Sequence, residues 1–135
     1  MAGEEQVDVA EQIQYIKGLI DTTEAQIQVL SRALEDMIRA RSILEDASLR
    51  SSKSLRVSIG AGIYVDAKLN LEEKVMVPIG SDTYIQESAE DAVKRLKSNE
   101  EEVKDSLGRL YAQRDELTIR YNNLLALVQA SAQGR

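Results

Sequence analysis

Side chains that do covalent or proton chemistry are nearly missing from this sequence. It contains neither histidine nor cysteine, so there is no imidazole base, no thiolate nucleophile and no usual zinc ligand. What remains are carboxylates. Their densest run, Glu100-Glu101-Glu102, reads as a solvated helix face, because nothing in the pattern encloses it to raise a pKa. Gly60-Ala61-Gly62-Ile63-Tyr64-Val65 has the opening spacing of a dinucleotide fingerprint. It lacks the third glycine, sits between strands rather than before a helix, and has no Lys-Ser/Thr of a P-loop. The expectation is a protein that is not an enzyme and takes no cofactor and no metal.

Composition and charge narrow the remaining classes. The chain has 23 acidic and 17 basic residues, a net charge of −6, and so lacks the basic patch that a phosphate backbone requires; nucleic acid is not expected as a partner. No apolar run approaches the roughly 18–20 residues that span a bilayer, and Met1-Ala2-Gly3-Glu4-Glu5 has neither a positive n-region nor an apolar h-region. A soluble, unprocessed protein without membrane contact is expected. The zero cysteine count fits a reducing compartment and a cytoplasmic location. Phe and Trp are absent and only five Tyr are present, whereas compact cores usually depend on large aromatic side chains. Ala, Leu, Ile, Glu, Lys, Arg and Gln dominate instead, the composition of long helices packed along narrow seams.

Spacing identifies the elements. From Val9 to Leu44 the positions Val9, Ile13, Ile16, Ile20, Thr23, Ile27, Leu30, Leu34, Met37, Arg41 and Leu44 alternate steps of four and three and are apolar except at Thr23 and Arg41. That is a coiled-coil seam. A second seam runs through Ala89, Val93, Leu96, Glu100, Val103, Leu107, Leu110, Arg114, Leu117, Tyr121, Leu124 and Val128, and Ser88-Ala89-Glu90-Asp91 resembles a capping box that starts its helix. The two seams match as an antiparallel hairpin: Leu44 with Val93, Leu34 with Val103, Ile27 with Leu110, Ile20 with Leu117, Ile13 with Leu124 and Val9 with Val128 all pair at a constant sum of residue numbers. Thr23 and Arg114 fall in one layer, and Arg41 and Glu100 in neighbouring layers suited to a diagonal, exposed ion pair. A helix of about 36 residues extends roughly 55 Å, the length of an arm.

Between the seams the period becomes two. Leu55, Val57 and Ile59 alternate with polar residues, as do Ile63, Val65, Ala67 and Leu69, around Gly60-Ala61-Gly62; glycine accepts the positive φ of a tight hairpin turn. Val75, Val77 and Ile79, then Gly80-Ser81-Asp82, then Thr83-Tyr84-Ile85-Gln86 form a second hairpin. Pro78 donates no ladder hydrogen bond and belongs on an edge or at a strand end. The hairpins are an internal repeat: Val57-Ser58-Ile59-Gly60 with Tyr64-Val65 returns twenty residues later as Val77-Pro78-Ile79-Gly80 with Tyr84-Ile85. The expected organisation is a single α+β subunit over residues 1–135, with a coiled-coil helix over 7–47, a flexible junction at Ser48 to Ser54, two β-hairpins within 54–87, and a coiled-coil helix over 88–130.

A coiled coil with two hairpins inserted at its bend resembles archaeal prefoldin of the α class; the β class carries one hairpin. The residues that carry the likeness are Val57 to Leu69, Val75-Met76-Val77-Pro78-Ile79-Gly80, and Tyr84-Ile85-Gln86-Glu87 leading into Ala89-Glu90-Asp91-Ala92. Where the family commonly has Val-Pro-Leu-Gly in the first hairpin, this chain has Val57-Ser58-Ile59-Gly60, and its proline lies in the second. The resemblance implies strands joining a shared oligomeric β-barrel body, two α-class with four β-class chains, and arms that hold unfolded polypeptides without ATP and deliver them to a group II chaperonin. Independently, short strands with one apolar face leave edges and surface that a lone chain cannot cover, so Val57, Ile59, Ile63, Val65, Val75, Val77, Ile79 and Ile85 are candidate assembly residues. At the free end of the helices, Val7, Tyr15, Leu19, Ile119, Leu125 and Leu127 gather beside the seam residues Val9, Ile13, Ile16, Tyr121, Leu124 and Val128. These are the candidate client contacts, non-directional and suited to any unfolded chain; the alternative for each of them singly is that it completes the coiled coil or touches another arm. The competing expectation is a structural protein that polymerises into filaments through the same hairpins.

Overall fold

Both apolar repeats wind as long helices in the computed structural model, which describes residues 2–46, 54–72 and 74–133 and, of the helix side chains, those from residue 8 to residue 132. Helix α1 spans Ala2–Glu45 and α2 spans Ala89–Gln133; between them lie β1 (Ser54–Gly60), β2 (Ile63–Lys68), β3 (Val75–Gly80) and β4 (Thr83–Glu87). This is the expected order of helix, two hairpins, helix. Helix α2 starts where its cap demands. The Ser88 hydroxyl accepts from the Asp91 amide at 3.1 Å and the Ser88 carbonyl accepts from the Ala92 amide at 2.9 Å, which satisfies donors that the first turn leaves without partners. At the end of α1 the Asp46 amide donates to the Ile43 carbonyl at 3.3 Å, a tightened last turn. Residues 47–53, where that helix and the junction were expected to meet, lie outside the described residues.

The four strands form two separate antiparallel pairs, β1 with β2 and β3 with β4. Their registers repeat at an interval of twenty. Leu55 faces Ala67, Val57 faces Val65 and Ser58 faces Tyr64; Val75 faces Glu87, Val77 faces Ile85 and Pro78 faces Tyr84. Each pair shifts register at the same place, leaving Ile59 and Ile79 as the extra residue before Gly60 and Gly80. The turns are also alike: Ala61 and Gly62 have φ of 53° and 74°, Ser81 and Asp82 of 50° and 57°. Two consecutive positive φ values define the turn whose twist matches a two-stranded ribbon. With one partner for β3, Pro78 stands on an edge strand as expected.

Contacts divide the chain into two compact units, one joining the residues up to Ala33 with those from Val103 onward, the other comprising Leu34–Glu102. In the first unit the buried apolar side chains are Ile16, Ile27, Leu107 and Leu117, together with Thr23; in the second they are Ala89, Ala92 and Val93, together with Glu100. All but Ala92 occupy expected seam positions. The burial pattern is that of a narrow apolar stripe.

Candidate functional site

The polar breaks in the seam show how each unit is held. Thr23 is 2% exposed, and its hydroxyl donates to the Leu19 carbonyl one turn back at 2.8 Å. Across the seam the group that reaches it is Gln113, whose Nε2 donates at 3.5 Å. Arg114, expected in that layer, turns instead over the Tyr111 ring at 5.2 Å and towards Asp115 at 3.6 Å. Of these contacts, that of Gln113 with Thr23 is the one that joins α1 to α2.

In the second unit the Arg41 guanidinium grips Glu100 with two donors, Nε at 2.6 Å and Nη2 at 2.9 Å. The pair was expected exposed; the burial of its carboxylate was not. Glu100 is 2% exposed because it occupies a seam position and the long arginine reaches over it. The Glu100 hydrogen bonds raise the Arg41 pKa, with burial opposing, so the guanidinium stays charged. Glu45 extends the cluster, accepting from Arg41 at 3.3 Å and from Lys97 at 3.3 Å. A second bidentate pair ties β4 to α2: Arg95 donates to both Glu87 oxygens at 2.9 and 3.0 Å. Arg95 thereby holds the Glu87 carboxyl below the usual carboxylate range, against the opposing effect of burial.

The partners of these groups are internal, bidentate in Arg41–Glu100 and Arg95–Glu87, and among the described residues no group of His, Cys, Asp or Glu side chains is placed to hold a metal ion. No described helix is long and apolar enough to cross a membrane.

What the molecule does present is apolar surface. In the first unit Tyr15, Ile119, Leu127 and Val128 are 69, 60, 59 and 42% exposed. Val9, Ile13, Leu19, Tyr121, Leu124 and Leu125 are half-buried, and Ile16 is buried in the seam, where it meets solvent only if the helices part. The side chain of Val7 lies outside those described. Two open grooves run along this unit. One, of about 430 Å³, is lined by Thr22, Ala25, Gln26, Val29, Leu30 and Leu110. The other, of about 220 Å³, is lined by Gln12, Ile16, Arg120, Asn123 and Leu124.

On the hairpins Val57, Ile59, Ile63, Val65 and Ile79 are exposed, while Val75, Val77 and Ile85 are half-buried. Three large side chains that the alternation did not select are just as open: Tyr64, Met76 and Tyr84. They lie on the opposite strand face. The recurrence of Tyr64 at Tyr84, twenty residues on, was the signal available for two of them.

Comparison with known proteins assigns this architecture. The family model described as prefoldin subunit matches residues 16–134. The chain belongs to the prefoldin family. Among its relatives is the prefoldin subunit alpha of Thermoplasma acidophilum, 36% identical over 119 residues that cover 88% of this chain and 92% of that one. The prefoldin subunit alpha of Picrophilus torridus is 40% identical over 107 residues, covering 79% and 74%. Among solved structures, the cryo-EM structure of filamentous prefoldin from Methanocaldococcus jannaschii superposes with a TM-score of 0.66 over 86% of this chain and 97% of that one, at 21% identity. That likeness is one of fold. Prefoldin is a family of chaperone subunits that assemble with other prefoldin subunits.

Proposed function

We propose that this prefoldin subunit is part of a cytoplasmic, ATP-independent holdase: two copies join four β-class chains through their hairpins, and the assembly captures unfolded polypeptides and passes them to a group II chaperonin. The observation that carries the reading is the exposure of Tyr15, Ile119, Leu127 and Val128 at one end of the first unit. Isolated apolar residues on a surface need no explanation. A cluster on both helices, beside half-buried Leu124 and Leu125, offers several weak contacts at once, and multiplying such contacts over several arms gives avidity without a shaped pocket. No step here needs a nucleotide or a catalytic group.

Replacing Leu124, Leu125, Leu127 and Val128 together by Ser tests the reading. The expected outcome is loss of most of the suppression of aggregation of a denatured client, with assembly unchanged as read by mass. Full suppression by the variant would exclude this surface as the client site.

A second reading, assembly into filaments, is favoured by the open strand edges, since each strand has a single partner and unpaired edges template further pairing. The two readings differ in the masses they produce with a β-class partner.

A further inference from the structure

Charge is unevenly spread over this acidic chain. Residues 12–20 of α1 hold Lys17 as their sole charged side chain, and residues 117–133 of α2 hold Arg120 alone. Neither stretch contains an aspartate or glutamate, although the sequence has 23 acids; Asp8 and Glu11, both exposed, lie just before the first stretch. Lys17 and Arg120 are both exposed. Among the described residues neither is held in an ion pair, the carboxylates one turn away, Asp21 and Glu116, included.

Arg120 also stands over the groove of about 220 Å³, where Ile16 and Leu124 are the apolar members and Gln12 and Asn123 supply carboxamides. That set suits one kind of occupant. An extended segment can place an apolar side chain against Ile16 and Leu124, a neighbouring carboxylate against the guanidinium, and its peptide groups against the carboxamides, which both donate and accept. A lysine or arginine in the carboxylate's place would meet uncompensated positive charge.

We infer that this end of the helices selects unfolded segments in which aspartate or glutamate flanks apolar residues, and disfavours those flanked by lysine or arginine. The inference rests on the client-holding reading and adds to it a preference of charge.

The test uses the full-length chain and three fluorescent peptides of equal length with the same apolar centre, flanked by Glu, by Lys or by Ser, with binding read by anisotropy. At low ionic strength the Glu-flanked peptide is expected to bind at least roughly threefold more tightly than the Lys-flanked one, the scale of two exposed charge pairs. About 0.5 M salt should bring the two together. Lys17→Gln with Arg120→Gln should erase the preference and Lys17→Glu with Arg120→Glu should reverse it, each variant first matched to the parent by far-UV circular dichroism. Equal binding of the charged peptides, with the Ser-flanked peptide bound, overturns the charge preference and leaves the holding reading intact. Binding of none of the three overturns the holding reading itself. The salt dependence of the parent chain decides the question even if a variant fails to fold.

Discussion

Ala61 occupies a backbone conformation that suits it poorly. With φ at 53° its Cβ crowds the following carbonyl oxygen, at a cost of about 1–2 kcal/mol for an ordinary L-residue. Asparagine tolerates this region and, followed by Gly62, makes the preferred pair of a two-residue hairpin turn. Ala61→Asn should therefore stabilise the chain by about 0.5–1 kcal/mol, read as a raised urea midpoint at unchanged slope. Ala61→Gly should gain less, because glycine also loosens the unfolded chain. Glu100 presents the opposite case, a buried carboxylate gripped by a long side chain from the other helix. Arg41→Met would remove both of the hydrogen bonds, at 2.6 and 2.9 Å, that the guanidinium makes to it. That single change should lower the urea midpoint, whereas Arg41→Met with Glu100→Leu should recover most or all of it, since an apolar pair of similar volume often replaces a buried ion pair without loss. A double change no better than the single one would mean that the pair contributes more than neutralisation, namely the register of the two helices.

Between elements, the Glu87–Arg95 pair makes the hold of β4 on α2 sensitive to pH. Arg95 donates two hydrogen bonds to the carboxylate and lowers its pKa in the folded chain, against the opposing effect of burial. A carboxyl whose folded pKa is depressed contributes stability above its ordinary pKa and loses it as pH falls through the folded value. The melting temperature of the parent chain should accordingly exceed that of Glu87→Gln by a near-constant few degrees at about pH 6–7, with the gap closing below about pH 4. A gap independent of pH would assign the effect to packing. The elements themselves were legible in the sequence because two periods, of alternating four and three and of two, follow directly from helix and strand geometry. Matching glycines, twenty residues apart, revealed the repeat. The extra residues Ile59 and Ile79 were not legible, because alternation continues through them and only the pairing shows that they lack partners. Burial of Glu100 was hidden for a related reason: its residue type argues for solvent, and only the reach of Arg41 across the seam overrides that preference. At the end of the helices proposed to meet clients the gathering of apolar residues was readable, but the grading from buried Ile16 to exposed Tyr15 depends on which side of the helix each one lies.

For the whole molecule, the two hairpins pose unequal demands on an assembly. Off the apolar face, the first carries Arg56 opposite Asp66, Ser54 opposite Lys68 and Ser58 opposite Tyr64, so that one large side chain, Tyr64, stands among polar ones. The second carries Met76 opposite Gln86 and Pro78 opposite Tyr84, with Met76 and Tyr84 66 and 56% exposed. The second hairpin therefore carries more apolar surface off that face than the first, Met76, Pro78 and Tyr84 against Tyr64 alone, so the second should lie deeper in any oligomer and tolerate charge least. Met76→Glu with Tyr84→Glu, neither on the face picked out by alternation, is expected to block assembly with a β-class prefoldin subunit as fully as Val57→Asp with Val77→Asp, at unchanged helical content. Arg56→Glu, on the polar face of the first hairpin, should leave assembly intact. Native mass spectrometry reads all of these directly and separates the closed from the open mode of assembly. A closed barrel consumes every strand edge and stops at one mass, that of six chains. Pairing through edges left free has no such stopping point and yields a ladder of masses that lengthens with protein concentration. A single six-chain mass in the parent, lost in the Met76/Tyr84 variant, is the result expected of a holdase body; a concentration-dependent ladder would assign the hairpins to filament growth instead.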